Sequence, residues 1–248
     1  MAIIHSEIQK NIAILTLDNG TTNSITPDLL RDLSEILDEI KNKVKGLVLC
    51  GGEKFFSIGF DLPLLIKYDR AEMSDFWYNF NHLIFVLYSI SLPTVCALSG
   101  HAVAGGNILA LTCDYRFAGT GTKKIGLNEI KLGVPVPYLA DMLLRQIIGD
   151  RSATEMLYSG DLRSFSEAEK IGLIDKIYST ETVLQKAKEK VTEVSEFESK
   201  AFSAIKSYRT EEIRKRYEKN GKTENETFLD CWFSEPTQRL LKEASQKF

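Results

Sequence analysis

The stretch Ser99-Gly100-His101-Ala102-Val103-Ala104-Gly105-Gly106-Asn107 joins two apolar runs of the chain. The run before it, Thr94 to Leu98, has the composition of a buried strand, and the run from Gly105 to Cys113 is predicted to be a short helix. A glycine pair at a helix start leaves the first backbone N–H groups unobstructed by side chains, and these groups have no acceptor within the helix. The stretch therefore predicts a strand, a tight turn and a helix with free backbone donors at the turn.

Strands and helices alternate on both sides of this stretch, which is typical of an α/β fold. A β-hairpin is predicted at the N-terminus, and Thr26 is predicted to cap a helix that has Pro27 at its first position. The predicted strands are Ala2–Ile8, Ile12–Leu17, Val44–Cys50, Thr94–Leu98, Tyr115–Ala118 and Leu173–Tyr178, and the predicted helices after the first are Glu72–Ile90, Gly105–Cys113, Tyr138–Ile148 and Ser152–Tyr158.

The composition of the chain changes near residue 180. Ser166-x-x-Glu169 is predicted to be the capping box of a short helix that Gly172 ends, whereas the segment from Thr182 to Lys222 is rich in Lys and Glu at helical spacing. We therefore expect an α/β core over residues 1–180 and a helical region over residues 181–248. Large apolar residues near the end of the chain must dock on their own core or on a neighbouring subunit: Phe228, Leu229, Trp232, Phe233, Leu240 and Leu241.

Composition and charge exclude several classes of partner. Lys and Arg number 31 against 34 for Asp and Glu, a net charge of -3, so no positive field favours nucleic acid. The apolar stretch from Leu83 to Leu98 is interrupted by polar residues and Pro93, and falls short of the ~18 residues that a membrane span needs. The four cysteines are scattered, which indicates neither a zinc site nor a disulfide framework and fits a reducing, cytosol-like compartment.

Two further glycine-containing stretches stand out, Phe55–Leu62 and Gly126–Gly133. Ligands in α/β folds bind at the loops that follow the carboxyl ends of strands. Gly59 allows a tight turn that frees the N–H of Phe60, and two such amides directed at one oxygen form an oxyanion hole. Phosphate-loop, nucleophile-elbow and zinc-protease motifs are absent from the sequence, and Gly119-Thr-Gly121 is interpreted as a turn. Glycine turns alone are weak indications of function, because most serve tight backbone geometry.

Taken together, the three stretches in this order and spacing resemble the crotonase superfamily of enoyl-CoA hydratases and isomerases. The resemblance covers about residues 10–180 well and the helical tail loosely. It implies a superhelix of ββα units, with a helical C-terminal region that forms trimers, often paired into hexamers. It also implies an acyl-CoA substrate and no separate cofactor or metal, since coenzyme A is part of the substrate.

The resemblance assigns the chemistry to three positions. The backbone N–H groups of Phe60 and Gly105 match the oxyanion hole that holds the thioester carbonyl, and Glu129 matches a catalytic glutamate. Family hydratases use a second glutamate, and its position here is Ile108, which cannot exchange a proton. A single glutamate moves a proton from C2 to C4 but orients water poorly. The resemblance therefore implies a Δ3,Δ2-enoyl-CoA isomerase of fatty-acid metabolism.

The remaining expected site residues follow from the same resemblance. Asp61 and Asp114 match buried aspartates that accept backbone hydrogen bonds, and Asn107 either contacts substrate or makes a hydrogen bond at the helix start. The expected substrate-binding residues are Ile58, Gly59, Asp61, Leu62, Gly106 and Ile108, together with Lys247 on the CoA phosphates.

Other functions stay open on the sequence. A single-glutamate member of this superfamily can be a weak hydratase, a decarboxylase or a ring hydrolase, with a second polar group supplied by Tyr68, Tyr138 or Asp141. A non-catalytic CoA-binding protein is a different class, and the retention of Gly59, Gly105 and Glu129 argues against it.

Overall fold

The structure is a computed structural model that describes residues 3–246, with the backbone alone described for residues 221–223. The strands are β1 (Ile4–Gln9), β2 (Ile12–Leu17), β3 (Gly46–Cys50), β4 (Phe55–Ser57), β5 (Thr94–Leu98), β6 (His101–Val103), β7 (Tyr115–Gly119), β8 (Lys124–Gly126), β9 (Arg163–Ser164) and β10 (Lys176–Tyr178). The helices are α1 (Pro27–Ile40), α2 (Leu62–Leu65), α3 (Arg70–Ser89), α4 (Gly105–Leu111), α5 (Tyr138–Ser159), α6 (Phe165–Lys170), α7 (Val183–Ser195), α8 (Ser199–Trp232) and α9 (Glu235–Ser245), with a 3-10 helix at Glu129–Leu132.

Two sheets carry the fold. The larger sheet has the order β1-β2-β3-β5-β7-β10 and is parallel except for the β1–β2 hairpin. The smaller sheet, β4-β6-β8-β9, is parallel except for β8–β9. Every residue of β3 and β5 is buried, as expected for parallel strands that are covered on both faces. The predicted α/β alternation is confirmed.

The N-terminal hairpin and the helix after it form as predicted. Lys10 and Asn11 connect β1 to β2 with φ values of 49° and 66°, which a two-residue hairpin turn with the twist of its strands requires. The side chain of Thr26 accepts a hydrogen bond from the N–H of Leu29 at 3.2 Å, and Pro27 is the first residue of α1.

Several boundaries differ from the prediction because local capping decides them. The capping box of α6 is formed by Ser164 and Glu167, so the assignment to Ser166 and Glu169 was wrong. Glu169 instead accepts a hydrogen bond from the N–H of Ile177 at 3.0 Å. Likewise, β10 begins at Lys176 and not at Leu173. The N–H of Leu173 donates a hydrogen bond to the carbonyl of Ala168, so this residue belongs to the turn after α6. Helix α3 begins two residues early, at Arg70, because Asp69 and Glu72 form a capping box there.

The C-terminal helices cover both the larger sheet and the cavity described below. In α7, Val183, Ala187 and Val191 are buried against one face of the larger sheet, so the first helix beyond residue 180 packs with the core. Of the apolar residues near the end of the chain, four are buried in this chain's own core: Phe228, Leu229, Trp232 and Leu241. Within residues 3–246, no helix combines the length and apolar character needed to cross a membrane. The cytosol-like compartment stays a prediction.

Candidate active site

The two loops predicted to supply backbone donors are in direct contact. Gly59 has φ +90°, and a Cβ atom there would lie 2.9 Å from the backbone nitrogen of Gly105. A Cβ atom on Gly105 would in turn lie 3.3 Å from the Cα atom of Gly59 and 2.9 Å from the Ile25 side chain. The absence of side chains at Gly59 and Gly105 therefore lets the backbones of the two loops approach closely.

Backbone hydrogen bonds hold the Phe60 loop, and Gly105 lies at a helix start. The neighbours of Phe60 hold the loop, since Ile25 donates to the Gly59 carbonyl at 2.8 Å and Asp61 donates to the Ile25 carbonyl at 3.2 Å. Gly105 is the first residue of α4, so its N–H has no acceptor within the helix. Ala104 before it has φ 51° and ψ -124°, a strained conformation for a residue with a side chain. Such strain is typical of positions where function fixes the backbone.

An aromatic cluster fixes the Phe60 loop from the other side. The Phe60 ring makes edge-to-face contacts with Phe76 and Phe80 at 4.9 and 4.8 Å between ring centroids, and with Trp77 at 6.1 Å. These contacts are favourable beyond the apolar area that they bury. The backbone donor of Phe60 is thus anchored through its own side chain to α3.

Glu129 is the first residue of the 3-10 helix, and its side chain is buried in apolar surroundings. The residue is 7% exposed, and its Oε2 atom has no hydrogen-bond partner among the described residues. Burial raises the pKa of the carboxyl to about 7, and the backbone N–H groups of Glu129 and Asn128 oppose this only in part. A carboxyl with such a pKa exchanges a proton readily near neutral pH.

A cavity of about 650 Å³ joins the glycine loops, Glu129 and the C-terminal helices. Lys54, Lys131 and Glu243 line it but are exposed, so Glu129 is the only buried ionisable side chain among its described lining residues. Its other lining residues include Ile58, Phe60, Leu62, Trp77, Gly105, Ile108, Asn128, Val134, Pro135, Pro137, Phe228, Trp232, Leu240, Leu241 and Ala244.

Most of the expected site residues meet at this cavity. Gly59, Asp61 and Gly106 do not line it but support its wall. A Cβ atom on Gly106 would lie 2.2 Å from the carbonyl oxygen of Ser57, so glycine lets α4 pack onto β4. The expected residues that line the cavity are Ile58, Phe60, Leu62, Gly105, Ile108 and Glu129, and Lys247 lies outside the described residues.

Three polar residues differ from expectation. Asp61 and Asp114 accept backbone hydrogen bonds as expected, from Leu64 at 3.0 Å and Thr94 at 2.8 Å, but neither is buried. The Asp114 side chain is 30% exposed and also pairs at 2.8 Å with the ammonium group of Lys206, whose side chain is only 6% exposed. The hydrogen bond expected for Asn107 was wrong, because neither polar atom of this fully buried side chain has a partner among the described residues.

A second compartment of about 350 Å³ adjoins the first and shares Trp77, Phe228 and three residues of the 134–137 segment with it. Tyr138 and Asp141 line this compartment and are absent from the lining of the larger cavity, while Tyr68 lines neither. Asp141 is engaged by Arg145 at 2.9 Å. The candidates for a second polar group are therefore separated from Glu129.

The sequence analysis missed two polar groups of the cavity. Asn128 precedes Glu129, and its Oδ1 atom is buried without a partner among the described residues. Trp232 lines the cavity from α8, and its indole nitrogen is likewise buried without one. The motif Gly126-Leu127-Asn128-Glu129 was a signal for the first. No local signal marks the second, because Trp232 is about a hundred residues away in the chain.

Comparison with known proteins gives a consistent result. The profile of the enoyl-CoA hydratase/isomerase family matches residues 7–247. Over 196 residues the chain is 32% identical to mitochondrial enoyl-CoA delta isomerase 1 of Mus musculus, covering 77% of this chain and 67% of the mouse protein. It is also 30% identical over 194 residues to a putative enoyl-CoA hydratase of Thermus thermophilus, covering 75% of each protein.

The crystal structure of human mitochondrial delta3-delta2-enoyl-CoA isomerase superposes with a TM-score of 0.96 at 25% identity, covering 99% of this chain and 98% of that chain. This superposition confirms the crotonase-like fold expected from the three glycine-containing stretches. With the match over residues 7–247, it leads to one conclusion: the chain belongs to the enoyl-CoA hydratase/isomerase family.

Proposed function

We propose that this protein is a Δ3,Δ2-enoyl-CoA isomerase in which Glu129 carries the proton. The thioester carbonyl accepts hydrogen bonds from the N–H groups of Phe60 and Gly105. Negative charge develops on that oxygen when the C2 proton leaves, so fixed donors stabilise the enolate more than the substrate. Each such donor is worth about 3 kcal/mol when it is removed from comparable sites.

Glu129 then moves one proton between two carbons. Its ionised carboxylate takes the proton from C2, and the C2–H electron pair becomes part of the enolate. The protonated carboxyl gives the proton to C4, and the double bond ends between C2 and C3. A pKa of about 7 suits both half-steps, because the group is a base and an acid at nearly the same pH.

The apolar residue Ile108 in the same cavity is the observation that carries this proposal. It is 1% exposed, and Glu129 is the only buried ionisable group among the described lining residues. Water addition to C3 requires a water that is oriented and deprotonated on the correct face. A single carboxylate in an apolar cavity is suited to proton transfer and poorly suited to that task.

A hydratase is the second candidate, favoured by the Asn128 Oδ1 atom. This acceptor is unpartnered and belongs to the residue before Glu129, so the two side chains offer two acceptors to one water. Incubation with 3-enoyl-CoA and 2-enoyl-CoA, followed by mass spectrometry and by the absorbance of the conjugated thioester, separates the two activities. Isomerisation leaves the mass unchanged, whereas addition of a water mass as the dominant product would overturn the proposal.

The assembly proposed with this activity is a homotrimer, alone or paired into a hexamer. Large apolar side chains just before α8 and in its first turns support it, because Phe197, Ile205 and Tyr208 are between 59% and 74% exposed. Exposed apolar surface of this kind is typical of subunit contacts. Sedimentation velocity should give a trimer or hexamer, and Ile205→Lys should dissociate it. A monomeric wild-type protein would contradict the assembly.

Lys247 is the proposed contact for the CoA phosphates. Lys247→Ala should raise KM for CoA esters several-fold and leave KM for pantetheine esters, which lack the nucleotide, unchanged. Equal KM values for wild type and variant with CoA esters would remove this assignment.

A further inference from the structure

Trp232 lines the catalytic cavity and carries a buried hydrogen-bond donor that has no acceptor among the described residues. It is the last residue of α8, it is 1% exposed, and it lines the cavity that contains Glu129. Its indole Nε1 atom is buried and has no partner among the described residues. An indole N–H donates only, and a buried donor without an acceptor is costly. The indole N–H of Trp232 therefore lacks an acceptor among the described residues.

The aromatic ring packed beside the indole offers its N–H no hydrogen-bond acceptor. The Trp232 ring lies 5.7 Å from the ring of Phe228, which stacks on Trp77 at 3.4 Å. The Gln238 side chain donates to the Trp232 carbonyl at 2.8 Å and holds the junction between α8 and α9. A phenylalanine would supply similar apolar area without the donor.

A bound acyl-CoA brings the acceptor that is missing. The thioester oxygen is already assigned to the N–H groups of Phe60 and Gly105, and the carboxylate of Glu129 is assigned to the proton. We propose that the Trp232 indole N–H donates a hydrogen bond to a second oxygen of the bound acyl-CoA. The inference rests on the proposed function for the class of ligand, and it makes Trp232 a substrate-binding residue.

The acceptor oxygen has two sources. One is an amide carbonyl of the pantetheine arm, which every CoA thioester carries. The other is an oxygen substituent on the acyl chain, which would make oxygenated acyl groups the preferred substrates. A site built to donate to a substrate oxygen discriminates against an analogue that lacks it, because the donor is then buried unpaired.

Binding of hexanoyl-CoA by calorimetry tests the donor without any turnover, since this ester has no double bond. Trp232→Phe should weaken binding about tenfold, which corresponds to about 1.4 kcal/mol. Tyr158→Phe is the control, because it also removes one aromatic hydrogen-bond donor, while Tyr158 is 81% exposed and lines only the smaller compartment. This control should change binding less than about twofold.

A spectroscopic readout keeps the test decisive if Trp232→Phe folds poorly. The chain has two tryptophans, so in Trp77→Phe the single indole ¹H–¹⁵N resonance belongs to Trp232. A hydrogen bond to the ligand should move this proton downfield when hexanoyl-CoA or a hydroxylated hexanoyl-CoA is added. Replacement of Trp232 by benzothienylalanine, which keeps the shape and removes the N–H, should weaken binding as Trp232→Phe does.

The two ligands separate the sources of the oxygen. Loss of affinity for both esters in Trp232→Phe assigns the pantetheine amide, and loss for the hydroxylated ester alone assigns an acyl oxygen. Unchanged affinity for both, with an unshifted indole resonance, would overturn the inference. A wild-type protein that binds these esters through Trp232 but does not isomerise 3-enoyl-CoA would overturn the proposed function alone.

Discussion

The two adjoining compartments each contain a glutamate whose pKa is raised to about 7, in both cases mainly by burial. Glu129 is raised by burial alone, against partial opposition from two backbone N–H groups. Glu224, in the smaller compartment, is raised by partial burial and then by the negative charge of Asp141. A shifted pKa therefore does not identify the proton carrier in this protein. Glu129 is distinguished because it lines the same cavity as Phe60 and Gly105, the proposed backbone donors, whereas Glu224 does not.

The largest expected effect separates these two carboxyls by activity. Glu129→Gln should lower isomerase turnover at least about 100-fold, because general-base catalysis contributes 10²- to 10⁴-fold, and should leave acyl-CoA binding nearly unchanged. Glu224→Gln is the matched control and should retain turnover within about twofold. Steady-state kinetics with 3-enoyl-CoA checks both variants. Retention of more than about a tenth of the wild-type rate by Glu129→Gln would remove the assignment.

Glu129→Gln should also differ from wild type in stability, with a dependence on pH. The folded-state pKa of Glu129 lies above its unfolded value, so protonation favours the folded state, and this contribution is lost as pH rises from about 4.5 to 7. The Glu129→Gln variant has no buried carboxyl to ionise. It should therefore be more stable than wild type at pH 8, by up to about 3 kcal/mol. The gain should shrink towards pH 5. Urea unfolding at both values checks it, and an equal gain at pH 5 and pH 8 would show that titration is not the cause.

The pH dependence of turnover sharpens the comparison further. Glu129 must be ionised to take the C2 proton, so kcat/KM should fall about tenfold per pH unit below its pKa of about 7 and level off above it. Glu224→Gln should leave the midpoint unchanged, since that carboxyl lines the smaller compartment. A profile that is flat from pH 5.5 to 8 would contradict Glu129 as the base.

The smallest expected effect tests Ile108, which lines the same cavity as Glu129. Ile108→Glu places a second carboxyl in the cavity and should give slow but measurable addition of water to 2-enoyl-CoA. Two carboxyls in one apolar site repel, so one should retain its proton, and stability should fall. Ile108→Gln is the polar control without an ionisable proton. A folded Ile108→Glu variant without water addition would show that Ile108 is not what separates the two activities.

Much of the fold could be predicted from local sequence patterns. The errors occurred where two nearby residues matched the same capping pattern equally well. The α1 cap at Thr26 was identified because Pro27 allows a single helix start. The α6 box was displaced by two residues because Ser164 and Ser166 both precede a glutamate by three positions, and the structure selects Ser164. The competing partner of Glu169, the N–H of Ile177, comes from a strand that only the folded chain brings near.

The sequence by itself predicted the backbone donors and the base, because the resemblance to the crotonase superfamily rests on single positions, the glycines at 59 and 105 and the glutamate at 129. Tertiary structure decided which side chains share the cavity. Ile108 and Trp232 meet Glu129 there, while Tyr138, Asp141 and Glu224 fall in the adjoining compartment. The physical reason is that burial and missing partners arise from packing between distant segments. The orphaned indole of Trp232 and the raised pKa of Glu129 exist only once α8, α9 and the glycine loops exclude water from one space.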